Sequence, residues 1–118
     1  EYAYVGIESQ DVTPSVAAAL GLAARRGALV VRVRPGTPAA AAGLRPGSAT
    51  RSIDGVEVTV GGDLIVAIAG RPVRSSDDVG RVVAGTLRPG QTVPFRVVRD
   101  GRRLDVDVTL GERPLRPE

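Results

Sequence analysis

Histidine, cysteine and lysine are all missing from this 118-residue chain, as are methionine and tryptophan. Without His and Cys there are no imidazole bases, no thiol nucleophiles and no His/Cys zinc sites. A Ser–His–Asp triad cannot be built from this chain alone. Without Lys, Ser–Lys and Schiff-base chemistry are excluded, and all 16 basic groups are Arg. Carboxylates, hydroxyls and two tyrosines are the reactive groups that remain. No catalytic residue, metal site or cofactor is expected, and the chain does not read as an enzyme.

Long apolar runs are missing too. Stretches such as Leu64 to Ala69 fall far short of the roughly 18 residues of a membrane span, so direct membrane insertion is not expected. The N-terminus has no basic start followed by an apolar stretch and a small-residue cleavage site; an exported parent would carry its leader outside this sequence. Aromatic residues are 3 %, which leaves no stacking platform for single strands. The isoelectric point near 10.5 overstates the basicity, because Arg stays protonated to very high pH while the formal charge is only +3. Arg25-Arg26 and Arg102-Arg103 are isolated pairs, and nucleic acid is not an expected partner.

What is present is an ordinary globular composition, 42 % hydrophobic and 25 % charged, at the length of one domain. Tyr2 to Ser9 reads as a strand interrupted at Gly6, a mark of close backbone approach or a bend. Thr13-Pro14 and Thr37-Pro38 each pair a capping hydroxyl with a proline at the first helical position, and Gly21 and Gly43 stop the two short helices. Gly27 to Arg34 alternates as a strand, and Asp63 to Ala69 is apolar enough to be buried on both faces. Ser75 caps a longer helix running to about Gly85, with Asp77 and Asp78 complementing its dipole. Asp54-Gly55 and Asp100-Gly101 are hairpin turns, the second between Thr92 to Arg99 and Arg102 to Leu110. Ser52-Ile53-Asp54-Gly55 and Ala67-Ile68-Ala69-Gly70 look alike, through coincidence or convergent hairpin chemistry. The tail from Glu112 to Glu118, with its two prolines, reads as loose. The sum is an α+β, mainly β fold: a partly open β-barrel capped by one longer and two short helices.

With catalysis set aside, Tyr4-Val5-Gly6-Ile7 is the best candidate for a binding device. An apolar-Gly-apolar turn feeding a strand can aim successive backbone N–H groups into one concavity, which suits a peptide carboxylate. Ile7 to Gln10 would then offer an edge to an extended peptide. Taken alone, the tetrapeptide is weak evidence, and an edge strand with a glycine bulge is its simpler reading.

The remaining motifs extend this reading. Pro35-Gly36-Thr37-Pro38-Ala39-Ala40 and Ala42-Gly43-Leu44-Arg45-Pro46-Gly47 resemble the "PGSPAAxAGLxPGD" segment of PDZ domains, in particular those of HtrA/Deg-type trypsin-like serine proteases. Asp63 to Val73 is similar to that family's "DxIxxIxGxPV", and Tyr4-Val5-Gly6-Ile7 falls where the family carries "YLGI". Nearly the whole chain is covered, 1–118 as a single PDZ domain in the circularly permuted order of bacterial members. One departure is plain: "PGD" is split, with Pro46-Gly47-Ser48 separated from Gly62-Asp63 by an inserted hairpin near residues 48–62. Loop-closure entropy makes such an insertion cheap, and a passive one is the simpler reading.

The resemblance implies a carboxylate-binding loop at Tyr4, Val5, Gly6 and Ile7, with the N–H groups of Val5, Gly6 and Ile7 as donors. It implies a groove between Glu8, Ser9 and Gln10 on one side and Ser76, Val79, Gly80 and Val83 on the other. Helical spacing sets Val79 and Val83 on one face, although both also suit a core. Gly80 costs roughly 1 kcal/mol against Ala inside a helix, and its missing side chain is expected to deepen the pocket for a large terminal residue. Many PDZ domains place His at the start of this helix to select a hydroxyl in the peptide; here Ser76 or Asp77 stands there, so an apolar or promiscuous choice is expected. The implied partners are peptide C-termini or unfolded segments and a parent protease domain, in an extracytoplasmic, periplasmic or cell-envelope setting. Two alternatives stay open: an assembly module contacting a neighbouring subunit, and the PDZ domain of another membrane or tail-processing protease.

Overall fold

The computed structural model describes residues 2–22 and 24–112. Its elements run β1 (Ala3–Tyr4), β2 (Ile7–Val12), α1 (Pro14–Leu20), β3 (Gly27–Val33), α2 (Pro38–Ala42), β4 (Ala49–Ile53) and β5 (Val56–Val60). They continue with β6 (Leu64–Ile68), β7 (Arg71–Pro72), α3 (Ser76–Thr86), β8 (Thr92–Arg99), β9 (Arg102–Thr109) and β10 (Gly111–Glu112). The main sheet is antiparallel, in the order β2-β3-β6-β8-β9 with β7 on β6, and it does not close into a barrel. β1 pairs with β10, and β4 with β5, as separate ribbons.

The helix ends follow their capping signals. The Thr13, Thr37 and Ser75 hydroxyls accept from the Val16, Ala40 and Asp78 N–H groups, each at 3.3 Å. Gly21 and Gly43 close α1 and α2 in the left-handed region. Asp78 Oδ2 also accepts from the Arg74 N–H at 2.8 Å, fixing the chain's entry into α3.

Both faces of the sheet are buried, as the unbroken apolar run in β6 predicts. Leu64 joins one cluster of buried side chains and its neighbour Ile65 the other; Val98 and Val97 divide in the same way on β8, as do Leu29 and Val30 on β3. The larger cluster gathers Phe95, Ile65, Ile68 and Val108 beneath Val79, Val82 and Val83 of α3. The smaller one packs Leu64, Leu29 and Val98 against Val12, Ala17 of α1 and Ile53 and Val58 of the inserted hairpin.

The inserted hairpin packs on the fold: Val58 is 1 % exposed and helps to cover one face of the central sheet. One expectation changes. The tail is not loose from its first residue, since Gly111–Glu112 pairs with Ala3–Tyr4; residues 113–118 lie outside the described residues. The likeness of residues 52–55 to 67–70 is hairpin chemistry. Asp54-Gly55 has φ values of 51° and 79°, and Ala69-Gly70 has 52° and 78°.

Candidate functional site

The loop between β1 and β2 owes its shape to Gly6. Its φ of +90° suits glycine, and an added Cβ would sit 2.4 Å from the Thr37 side chain. Thr37 is held in turn, donating its hydroxyl to the Arg34 carbonyl at 2.6 Å while capping α2. The loop's carbonyls both face the scaffold: Val5 O accepts from the Ala39 N–H at 2.9 Å and Gly6 O from the Arg34 N–H at 3.0 Å. The N–H groups of Val5 and Gly6 have no acceptor among the described residues. Buried backbone donors are nearly always paired, so two adjacent free ones at the rim of a cavity ask for an acceptor.

That cavity measures about 370 Å³ and lies between β2 and α3. The structure brings Tyr4, Val5, Gly6 and Ile7 together with Ser9, Ser76, Val79, Gly80 and Val83 around it. Val79 and Val83 are buried in the larger cluster as well, so they serve core and cavity at once. An added Cβ at Gly80 would meet nothing within 4 Å, so no packing in the chain itself demands glycine there. Ala3 and Ala84 also line the cavity and were not singled out from sequence. Ala84 stands four residues beyond Gly80 on the same helix face, a signal that was available.

Glu8 and Gln10 share the strand but not the cavity. Among the described residues no strand pairs with the other edge of β2, which lies at the end of the sheet. The Glu8 carboxylate faces Arg32 of β3 at 3.5 Å in an exposed pair. The Gln10 amide turns to the inserted hairpin, donating to Glu57 O at 3.0 Å and accepting from the Thr59 N–H at 3.3 Å. It acts there as a substitute strand, satisfying the open edge of β5. At the start of α3, Ser76 Oγ donates to Ser9 O at 3.1 Å and meets Ser9 Oγ, while its N–H donates to Asp11 Oδ1 at 2.7 Å. A hydroxyl bridge therefore crosses the groove where a selecting His would stand.

Among the described residues no charged side chain lines the cavity. The molecule's one fully buried charge lies elsewhere, among the described residues: Asp63 accepts from Arg99 Nε at 2.7 Å, Arg99 Nη2 at 2.6 Å and the Arg45 N–H at 2.9 Å. The hydrogen bonds that Arg99 donates to Asp63 raise the pKa of its guanidinium above the ordinary value; burial opposes the shift and the charge of Asp63 adds to it. A base raised on folding contributes stability below its unfolded pKa and loses it only as pH rises through the folded one. For Arg that loss lies far into alkali, so on the Arg99 side the fork does not weaken at working pH. Sequence reading treated Asp63 only as a displaced piece of a motif. Among the described residues no group of acidic side chains is placed to hold a metal ion, and no helix is long and apolar enough to cross a membrane.

A family profile described as PDZ domain matches residues 3–110. The chain is 33 % identical over 111 residues to a probable periplasmic serine endoprotease DegP-like of Rhizobium meliloti (strain 1021), spanning 94 % of this chain and 19 % of that protein. It is 34 % identical, over 94 % of this chain and 20 % of the relative, to a protein of the same description from Hahella chejuensis (strain KCTC 2396). A solved structure described as HtrA-type protease AlgW with decapeptide is similar at a TM-score of 0.72 and 30 % identity, over 96 % of this chain and 30 % of that one. The HtrA3 PDZ domain bound to a phage-derived ligand shares the fold at a TM-score of 0.65 and 23 % identity, over 92 % of this chain and 84 % of that one. The chain thus spans about a fifth of the length of the curated relatives it matches.

Proposed function

The chain belongs to the PDZ domain family, and on that premise we propose that it reads peptide C-termini by strand addition between β2 and α3. The observation that carries this reading is the pair of N–H groups at Val5 and Gly6 with no acceptor among the described residues, set where the edge strand β2 meets an apolar cavity. A terminal carboxylate would accept from those donors and from the Ile7 N–H, and the last side chain would enter the space over Val79, Gly80 and Val83. The next residues would pair with Ser9, exchanging the Ser76 hydroxyl for a ladder bond at little net cost.

The parent we propose is an extracytoplasmic serine protease of the HtrA/DegP kind, in which this module recruits substrate or relays ligand binding to the protease. The relatives' names support that parent.

The test is a titration of the chain with apolar peptides in free-carboxylate and C-terminally amidated forms, followed by backbone amide shifts. The free acid should bind at least about tenfold tighter, the worth of hydrogen bonds to a charged group, with shifts centred on Val5, Gly6, Ile7 and α3. Equal binding of the amide would overturn terminal recognition. No groove shift with any peptide, together with a mass that rises with concentration, would replace the reading with subunit contact. Gly80→Leu tests the pocket depth. The helix should tolerate or gain from the change, while a preference for terminal Phe over Ala should shrink. An unchanged preference would show that Gly80 does not set the depth.

A further inference from the structure

Beyond the Ser9–Ser76 bridge lies a second cavity of about 560 Å³, which shares those two residues with the first. Its walls come from β2, the start of α1, the first residues of α3 and the inserted hairpin. Val16, Ile53, Val58 and Val56 line it; Ile53 and Val58 form its buried floor, while Val56 is 56 % exposed, one of two large hydrophobic residues so open among those described. Asp11, Asp54 and Asp77 also line it, and among the described residues no Arg does. Asp11 faces a neighbouring cleft with Arg26 and Arg74 as well, so the uncompensated charge is that of Asp54 and Asp77.

We propose that this cavity is an upstream subsite, built by the hairpin, which takes an apolar side chain flanked by a basic one in the same peptide whose end enters the groove. The proposal rests on the groove reading above and adds to it a preference and a structure that supplies it. Geometry fixes the order. A peptide added antiparallel to β2 with its carboxylate at Gly6 runs towards Val12 as it is followed upstream. Side chains repeat every two residues at about 3.3 Å per residue, so the third residue from the end lies near Ser9 and the fifth near Asp11. Neighbouring side chains point to opposite faces, so the fourth follows Gln10 towards the hairpin and the fifth follows Asp11 towards the start of α3, the two walls of this cavity. The site is preformed, because Ile53 and Val58 are anchored in the smaller cluster and the Gln10 amide grips β5. Binding there orders no loop, which keeps the entropic cost low.

The experiment uses synthetic peptides and fluorescence anisotropy on the whole chain. One probe is the tripeptide Tyr-Val-Phe. Two others are seven-residue peptides with that ending, one with Leu fourth and Arg fifth from the end, the other with Ser and Glu there. The Leu-Arg peptide should bind roughly tenfold tighter than the Ser-Glu peptide, from one buried aliphatic group and one partly exposed charge contact. In the triple variant Val56→Ser, Asp54→Asn, Asp77→Asn that ratio should fall to within about twofold, while tripeptide affinity stays unchanged and so reports an intact groove. Asn keeps the positive φ that position 54 requires. A wild-type ratio near one, with the tripeptide bound, would overturn the subsite and leave the groove reading standing, and so would a ratio that the triple variant preserves. If neither tripeptide nor heptapeptides bind, the groove reading falls and the subsite falls with it.

Discussion

Hairpins β4–β5 and β8–β9 turn on the same dipeptide with nearly the same backbone. Asp54-Gly55 has φ values of 51° and 79°, and Asp100-Gly101 has 53° and 77°. Both central residues are left-handed, the geometry that matches strand twist in a two-residue turn. Their fates differ. β8 and β9 pair over eight positions inside the main sheet, and β8 alternates between solvent and the fully buried Phe95 and Val97. β4 and β5 pair over five, expose most of β4, and reach the sheet through Ile53, Val58 and one glutamine. Turn chemistry specifies that a hairpin forms; the inward-facing residues decide whether it becomes scaffold or an appended wall that can shape a cavity.

Asp63 joins the two. It follows the first hairpin, grips Arg99 next to the second turn, and holds the Arg45 N–H before β4, while Arg99 Nη2 also donates to Gly43 O at 3.0 Å. Asp63→Ala leaves a half-buried guanidinium and a backbone donor unpaired, and should cost about 3–5 kcal/mol. Chemical denaturation would measure it; a loss below about 1 kcal/mol would mean that the hairpins are positioned independently. The next effect separates them. Val97→Ala and Val58→Ala each remove two buried methyl groups, worth about 2–3 kcal/mol with the cavity. Val97→Ala should lower the global unfolding midpoint by that amount. Val58→Ala should appear mostly as faster amide exchange confined to residues 49–60, because the appended hairpin can undock by itself. Equal midpoint shifts would show one cooperative unit and erase the distinction. Smaller again is Gln10→Ala, which frees two hydrogen bonds at a half-buried site. Thr59 amide protection should fall by about 1 kcal/mol with the midpoint nearly unchanged. A midpoint loss as large as that of Val58→Ala would make the glutamine a global rather than a local fastening.

The sequence carries local rules well. Capping hydroxyls before proline, Asp-Gly turns and alternation in β9 each depend on a few neighbouring residues, and each appears where those residues stand. The candidate groove rests on the resemblance to PDZ domains; the residues themselves add only the glycine at Gly6 and the four-residue spacing of Val79 and Val83. What escaped is non-local. Gln10 reads as one more edge residue until a strand nearly fifty positions away presents its backbone to it. Asp63 looks like a motif fragment until Arg99 arrives from β8. The hairpin reads from sequence as an insertion that loop closure makes cheap; only the two-sided burial of β6 gives Ile53 and Val58 a surface to cover.

The third turn supplies the smallest test of that division. Ala69-Gly70 adopts the same pair of positive angles without Asp in its first position. Asp tolerates this region because its short polar side chain can bond locally, whereas Ala carries a penalty of roughly 1–2 kcal/mol. Glycine would remove that penalty, yet it frees the unfolded chain by about 0.4–1 kcal/mol and gives up a half-buried methyl that packs on the larger cluster. The Ala69 N–H, which donates to Pro94 O at 2.9 Å, survives the change. Ala69→Gly should therefore stabilise by a few tenths of a kcal/mol, and Asp54→Gly should not, since Asp has less strain to release. Paired thermal unfolding of the two variants reads the difference directly. If Ala69→Gly lowers the midpoint instead, the methyl's packing outweighs the backbone strain, and β6–β7 holds its turn by burial rather than by turn chemistry.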